Sequence, residues 1–246
     1  CLPTLYLLAI GRIQNNCNVR NQILSSTLNF LVFLLTQALL QSSHMFHEAK
    51  HSFGNHGVKV ENVEIDVSAM MAQKNKAVSG LTKGIEGLFK KNKVTYVKGS
   101  GRISSPGEVA VDLLDGSTQT LKAKNIIIAT GSEVKNLPGI TIDEKKIVSS
   151  TGALSLSEVP GKLVVIGAGY IGLEMGSVWG RLGSEVTVVE FADTIVPSLD
   201  AEIRSSFQRI LEKQKMKFKL KTKVVSVDAS GSGVKLVLEP SAGGEQ

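Results

Sequence analysis

Sulfur is scarce in this chain of 246 residues: its two cysteines, Cys1 and Cys17, offer neither a disulfide framework nor a C-x-x-C or metal-ligand spacing. That usage fits a reducing or organellar compartment. Long apolar runs are missing too. The richest, residues 30–35 with Leu39 and Leu40 beyond, is interrupted by Thr36 and Gln37 and falls short of the length needed to cross a bilayer. No small-residue cleavage pattern follows it and no transit peptide is visible, so a protein without a membrane partner is expected. Aromatic residues make up only 5% of the chain, and although 28 Lys and Arg face 22 Asp and Glu, the basic residues are scattered over polar faces. Without aromatic interleaving, that balance reads as solvated surface and speaks against a nucleic-acid partner. Histidines are few. His44, His47 and His51 share one helical face, but no fourth ligand or carboxylate accompanies them, so a metal site is not expected.

What the chain does have is glycine in a particular spacing. Residues 162–166, Lys-Leu-Val-Val-Ile, form a strand pattern that runs into Gly167-Ala168-Gly169-Tyr170-Ile171-Gly172-Leu173-Glu174. In such a sequence Gly167 permits the turn, Gly169 lets backbone N–H groups approach a pyrophosphate, and Gly172 lets helix and strand pack closely. The helix N-terminus adds partial positive charge where the anion lies. Gly176 and Gly180 continue the four-residue spacing and predict a smooth helix face, and Gly183 ends the helix. Residues 184–189 read as the next strand, and Glu190 stands at its end, where a carboxylate would accept from a ribose 2′-OH and repel a 2′-phosphate. Phe191 and Ala192 follow, with no Arg or Lys beside Glu190, so the expected cofactor is NAD and not NADP.

The rest of the chain reads as α/β, with tandem Rossmann-like units. Residues 1–37 show no clean period and are expected to be unrelated to the fold or disordered. Helical spacing begins at Ala38 and stops near Gly54, residues 58–63 resemble an edge strand, and Asp66 is placed to cap a long helix over 67–91 whose apolar face needs a sheet to cover it. Residues 94–97, 108–114 and 120–122 read as strands, with a turn at Asp115-Gly116. The continuous apolar run before Ala129-Thr130-Gly131-Ser132 predicts a strand buried on both faces, ending in a small-residue turn that can approach a nucleotide. Residues 143–150 read as a linker, 200–214 as a helix with Ile203, Phe207, Ile210 and Leu211 on one face, and 215–223 as one strand with alternating lysines. A closing hairpin is expected from 224–227 and 233–239.

Together, the glycine turn through Glu174, the strand-end Glu190, Ala129-Thr130-Gly131-Ser132, Gly84-Ile85-Glu86-Gly87-Leu88-Phe89 and Gly176-Ser177-Val178-Trp179 resemble the dihydrolipoamide dehydrogenases, in their plant mitochondrial form, within the pyridine nucleotide-disulfide oxidoreductases. The resemblance runs from about Ala38 to Gln246. It implies a partial FAD-binding domain over 38–150 and a partial NAD-binding domain over 151–246. It also implies NAD contacts from Gly167 through Glu174, at Glu190 and at Val224, and FAD contacts at Gly101, Thr130, Gly131 and Ser132. The activity implied is oxidation of protein-bound dihydrolipoamide, through a redox disulfide and FAD, to NAD. The partners implied are the lipoyl domains of 2-oxoacid dehydrogenase or glycine cleavage complexes, in the mitochondrial matrix, with a homodimer in the family.

Three departures qualify this. No flavin glycine motif precedes residue 54, the positions of the redox pair are Leu28 and Phe33, and Cys17 lacks a second sulfur. The family's C-terminal His and Glu, its acid–base pair, and its dimer domain would lie beyond Gln246. Without two sulfurs there is no exchange step. The chain therefore reads either as part of such an enzyme or as a module that holds NAD and turns nothing over.

Overall fold

The computed structural model describes residues 5–9, 23–128, 134 and 137–242, with side chains from residue 34 onward. In chain order the elements are β1 (Leu5–Ala9), α1 (Ile23–His51), α2 (Val67–Lys91), β2 (Gly99–Ser105), β3 (Glu108–Leu113), β4 (Thr118–Lys122), β5 (Ile147–Val148), α3 (Ser150–Ala153), β6 (Lys162–Ile166), α4 (Tyr170–Leu182), β7 (Glu185–Val189), α5 (Ala201–Lys213), β8 (Lys217–Lys219), β9 (Thr222–Asp228) and β10 (Lys235–Pro240). They fall into two compact units, one drawn from Cys1–Arg12, Thr36–Gln73 and Val134–Gln246, the other from Ile13–Leu35 and Lys74–Glu133.

The first unit is built on a parallel sheet in the order β5-β1-β6-β7-β8. Lys162 lies opposite Glu185 and Ile166 opposite Val189, so β6 and β7 end level with one another. Strand alternation divides the β6 side chains between two faces. Val164 and Ile166 join Ile140, Ile147 and Val234 in one apolar cluster, to which the hairpin β9–β10 contributes Val224, Val227 and Leu236. Leu163 and Val165, both fully buried, occupy the opposite face.

Helix α4 crosses between β6 and β7 and lies close to the sheet because its glycines leave room. A Cβ on Gly176 would come within 3.1 Å of Met216 Cε and 3.3 Å of Val186 Cγ1, and one on Gly180 within 3.4 Å of Val186 Cγ2. Gly183 ends the helix in the left-handed region at φ 120°, as its position predicted. Trp179, fully buried, donates from Nε1 to the Ala153 carbonyl at 3.1 Å and so ties α4 to α3. Helix α5 starts where expected, with Asp200 Oδ1 accepting from the Glu202 N–H at 2.9 Å, but of its four predicted apolar positions only Leu211 is buried, while Ile203 and Ile210 are exposed.

The second unit holds the antiparallel meander β2-β3-β4. Its second turn is the Asp115-Gly116 turn expected from sequence, with Gly116 at φ 85° and Asp115 Oδ1 accepting from the Ser117 N–H. Asp66 caps α2 as predicted, its Oδ1 accepting from the Ala69 N–H at 2.9 Å. Leu81 and Leu88 on the apolar side of α2 are exposed.

Several expectations are corrected. Residues 1–37 are not without structure where described: β1 pairs in parallel with β5 and β6, and α1 begins at Ile23, fifteen residues before Ala38. The stretch 143–150, expected as a linker, supplies the edge strand β5 and the start of α3. Asp143 Oδ1 organises it by accepting from the N–H groups of Lys145, Lys146 and Ile147 at 2.8, 2.9 and 2.9 Å. Residues 58–63 and 94–97 carry a strand pattern but form no ladder. The apolar run 126–128 does not form a covered strand: Ile127 is 90% exposed and Ile128 is also exposed, because among the described residues no strand lies beside it. The lysine-rich stretch 215–223 is not one strand, since left-handed residues at Lys215 and Lys221 cut it into β8 and the start of β9.

Candidate dinucleotide-binding site

The glycine turn between β6 and α4 is formed as the sequence required. Gly167 adopts φ 101°, open to glycine but strained for other residues. Its N–H donates to the Val189 carbonyl at 2.8 Å, which fastens the turn to β7. Gly169 is the N-cap of α4, at φ −74° and ψ 168°, and supplies no side-chain cap to the first-turn N–H groups of the helix. A Cβ at Gly169 would meet nothing within 4 Å. The glycine therefore borders open space at the positive end of a helix dipole, a position suited to an anion. Tyr170, the first helical residue, is exposed; Gly172 and Leu173 are buried and Ile171 is partly so. Glu174 is half-buried one turn into α4, and desolvation raises its pKa above the ordinary carboxylate value.

Glu190 is the second part of the site, and its role is more specific than sequence suggests. One carboxylate oxygen, Oε2, accepts from the Ala168 N–H in the glycine turn at 2.7 Å, and Oε1 accepts from the Ala192 N–H at 2.8 Å. The carboxylate thus bridges the turn after β6 to the loop after β7. Val196, at φ 36°, closes the other side by donating its N–H to the Ala168 carbonyl at 2.9 Å. Ala168 is held through both its amide hydrogen and its carbonyl, which fixes the turn before anything binds. Such preorganisation lowers the ordering cost of association.

The third part was not visible in sequence. The Glu190 N–H donates to the Lys219 carbonyl at 2.9 Å, the Thr222 N–H donates to the Glu190 carbonyl at 2.9 Å, and the Lys221 N–H donates to the Ala192 carbonyl at 2.9 Å. These main-chain bonds continue the parallel pairing of β8 with β7, which sets Lys219 opposite Val189. Only the register of a third strand could have revealed this.

The other predicted positions divide. Val224, two residues past Thr222, packs its side chain against the cluster of Ile140, Ile147, Ile166 and Val234. Gly101 is buried in the β2–β3 ladder opposite Val111, in the other unit. Thr130, Gly131 and Ser132 lie outside the described residues. On the histidine face of α1, the His47 and His51 rings stack obliquely with centroids 4.7 Å apart. Burial and then the charge of His51 lower the pKa of His47. Among the described residues no group of three His, Cys, Asp or Glu is placed to hold a metal, and no helix is long and apolar enough to cross a membrane.

A strand, a glycine-spaced turn, a helix and a strand-end acid joined by hydrogen bonds invite comparison with known proteins. The sequence profile of the pyridine nucleotide-disulphide oxidoreductases matches residues 9–244. The chain belongs to that family. Its relatives within the family include the mitochondrial dihydrolipoyl dehydrogenase of Pisum sativum, 74% identical over 86% of this chain and 42% of that protein. The leghemoglobin reductase of Vigna unguiculata is 72% identical over 86% of this chain and 40% of that protein. The chain thus spans about two-fifths of the length of these relatives. Among solved structures, LpdA from Mycobacterium tuberculosis superposes with a TM-score of 0.74 at 18% identity, covering 96% of this chain and 55% of LpdA. The flavoprotein disulfide reductase RclA from Escherichia coli gives 0.66 at 20% identity over 96% of this chain and 53% of RclA. At these identities the likeness establishes the fold, which is the α/β Rossmann type of the flavoprotein disulfide reductases.

Proposed function

We propose that the first unit binds NAD, with the diphosphate at the turn from Gly167 to Gly172, Tyr170, Ile171, Leu173 and Glu174 lining the helix side, the ribose hydroxyls at Glu190 and the adenine toward Val224. The observation that carries this reading is the pair of hydrogen bonds that the Glu190 carboxylate accepts from the Ala168 and Ala192 N–H groups, which tie the acid proposed for the ribose to the turn proposed for the diphosphate. The open space at Gly169 fits a phosphate oxygen. We further propose that the whole protein containing this chain is a dihydrolipoyl dehydrogenase of the mitochondrial matrix that uses FAD and NAD and serves the lipoyl domains of 2-oxoacid dehydrogenase or glycine cleavage complexes as a homodimer. The identity to plant mitochondrial relatives supports it. When bound, the nicotinamide supplies hydride acceptance; the residues of this chain orient it and exclude a 2′-phosphate.

For the molecule as written, a second reading is favoured by sulfur content: the two positions that the family resemblance implies for the redox pair hold Leu28 and Phe33, and the cysteines are Cys1 and Cys17 alone. On that reading the chain holds NAD and does not oxidise dihydrolipoamide. The experiment is a purified sample assayed for flavin absorbance and for NADH formed from NAD and dihydrolipoamide, beside a thermal-shift titration with NAD. Protection by NAD without flavin colour or turnover supports the binding module, and dihydrolipoamide-dependent NADH formation overturns it.

A further inference from the structure

We propose that β1 is a stand-in strand that completes the dinucleotide crevice: Leu5–Ala9 fills the place beside β6 that a doubly wound dinucleotide fold gives to a strand arriving after the third. This rests on the dinucleotide reading of the glycine turn and adds to it the second wall of the site. The first observation is strand order. With β6, which leads into the glycine turn, counted as strand one, β7 and β8 follow on one side as strands two and three, and a doubly wound sheet then sets strand four on the other side of strand one. Among the described residues the strands after β8 are β9 and β10, which pair antiparallel with each other in a separate two-stranded sheet. The place of strand four is held by β1, parallel to β6 along its whole length, from Leu5 opposite Lys162 to Ala9 opposite Ile166.

The second observation is that the slot is one strand wide. β5 and β6 succeed one another among the strands of the chain but are not paired; Leu7 lies between them, opposite Ile147 on one side and Val164 on the other. Without β1 both strands would turn unpaired N–H and C=O groups into the middle of the sheet, beside the fully buried Val148, Leu163 and Val165. Such a slot receives an extended segment by strand addition. The third observation is connection. Residues 10–146, with the meander β2-β3-β4 among them, separate β1 from β5, and residues 5–8 precede the span 9–244 that matches the family profile. Pairing, and not a short crossover to either neighbour, holds β1 in the sheet.

The consequence for the site follows from topology. In doubly wound sheets the coenzyme lies across the carboxyl ends of the strands where the strand order reverses. Here the chain passes from β6 to β7 on one side and β1 is the neighbour on the other, so the reversal falls between β6 and β1. Ala9 ends level with Ile166, the residue before Gly167. With β1 withdrawn, the glycine turn borders a crevice that has lost one wall.

The test uses the 246-residue chain, its Leu7→Pro variant and a synthetic peptide of residues 1–12. Proline at the centre of β1 removes an amide donor from a strand paired on both sides, so NADH binding, read by coenzyme fluorescence, should weaken at least about tenfold. Adding the peptide in excess should restore most of the lost affinity, and the same peptide carrying Leu7→Pro should not. Restoration supports the proposal whether or not the variant is folded by itself, because the peptide supplies the missing strand in either case. Occupancy of the slot is read separately, without coenzyme, by disulfide formation in a Cys1→Ser/Cys17→Ser background. Leu7→Cys with Val164→Cys, its register partner, should crosslink, whereas Leu7→Cys with Leu163→Cys, on the opposite face of β6, should not. The proposal is overturned if Leu7→Pro binds NADH as tightly as the parent, if the parental peptide fails to reverse the loss, or if the register pair crosslinks no better than the mismatched one. A chain that crosslinks in register yet binds no NADH overturns the dinucleotide reading, and the crevice with it, while leaving β1 in its slot.

Discussion

Gly167 and Gly169 look alike in sequence but should respond to alanine in opposite ways, which separates the fold from the site. At Gly169 the backbone has φ −74° and ψ 168°, a conformation any residue adopts, and an added Cβ meets nothing within 4 Å. Alanine is a poorer N-cap than glycine by about 0.5–1 kcal/mol, while losing the glycine stiffens the unfolded chain and returns about 0.4–1 kcal/mol. The two nearly offset, so Gly169→Ala should unfold within about 0.5 kcal/mol of the parent chain. The same methyl enters the space assigned to a phosphate oxygen and holds the ligand away from the helix N-terminus. A tenfold or greater loss of NADH affinity is expected, about 1.4 kcal/mol. Gly167→Ala is the converse: at φ 101° the side chain is strained by roughly 1–3 kcal/mol, so stability falls first and binding with it. Urea unfolding followed by circular dichroism and NADH titration by calorimetry read the two effects separately. If Gly169→Ala bound NADH as tightly as the parent at unchanged stability, the diphosphate would not lie at this turn.

Two further outcomes follow from the packing of the first unit. Trp179→Phe removes a fully buried indole N–H from the Ala153 carbonyl and should cost about 2–4 kcal/mol, combining the orphaned acceptor with the cavity left behind, measured as a lower urea midpoint with unchanged slope. For Asp143, burial pulls the carboxyl pKa up, but the N–H groups of Lys145, Ile147 and Lys146 outweigh it and leave the value below the ordinary 3.8. A pKa depressed by folding gives stability that is present above the unfolded value and lost as pH falls through the folded one. The stability gap between the parent and Asp143→Ala, about 1–2 kcal/mol near neutrality, should therefore narrow progressively below about pH 4, as urea unfolding across pH 3–7 would show.

The features that sequence disclosed are those fixed by short-range physics. The turn at Gly167, the stop at Gly183, the Asp66 cap and the Asp115-Gly116 turn each depend on a few neighbouring residues, and each formed where expected. What could not be foreseen depends on partners distant in the chain. An isoleucine run such as 126–128 looks like a buried strand only if other strands cover it, and Ile127 is exposed without them. The short strand β5 came from a polar stretch because Asp143 gathers three amide hydrogens there, a local signal outweighed by the charged residues around it. The main-chain bonds that tie Glu190 to Lys219 and Thr222 have the same long-range origin: they follow from sheet register, which no window of sequence contains.

The bridge from Glu190 to the glycine turn is the feature on which the functional account stands, and direct calorimetric titration of NADH into the folded 246-residue chain probes it most simply. The account predicts saturable heat with one equivalent of NADH per chain, and a markedly weaker isotherm for Glu190→Ala. A chain shown by circular dichroism to be folded that gives no heat with NADH or NAD would contradict it.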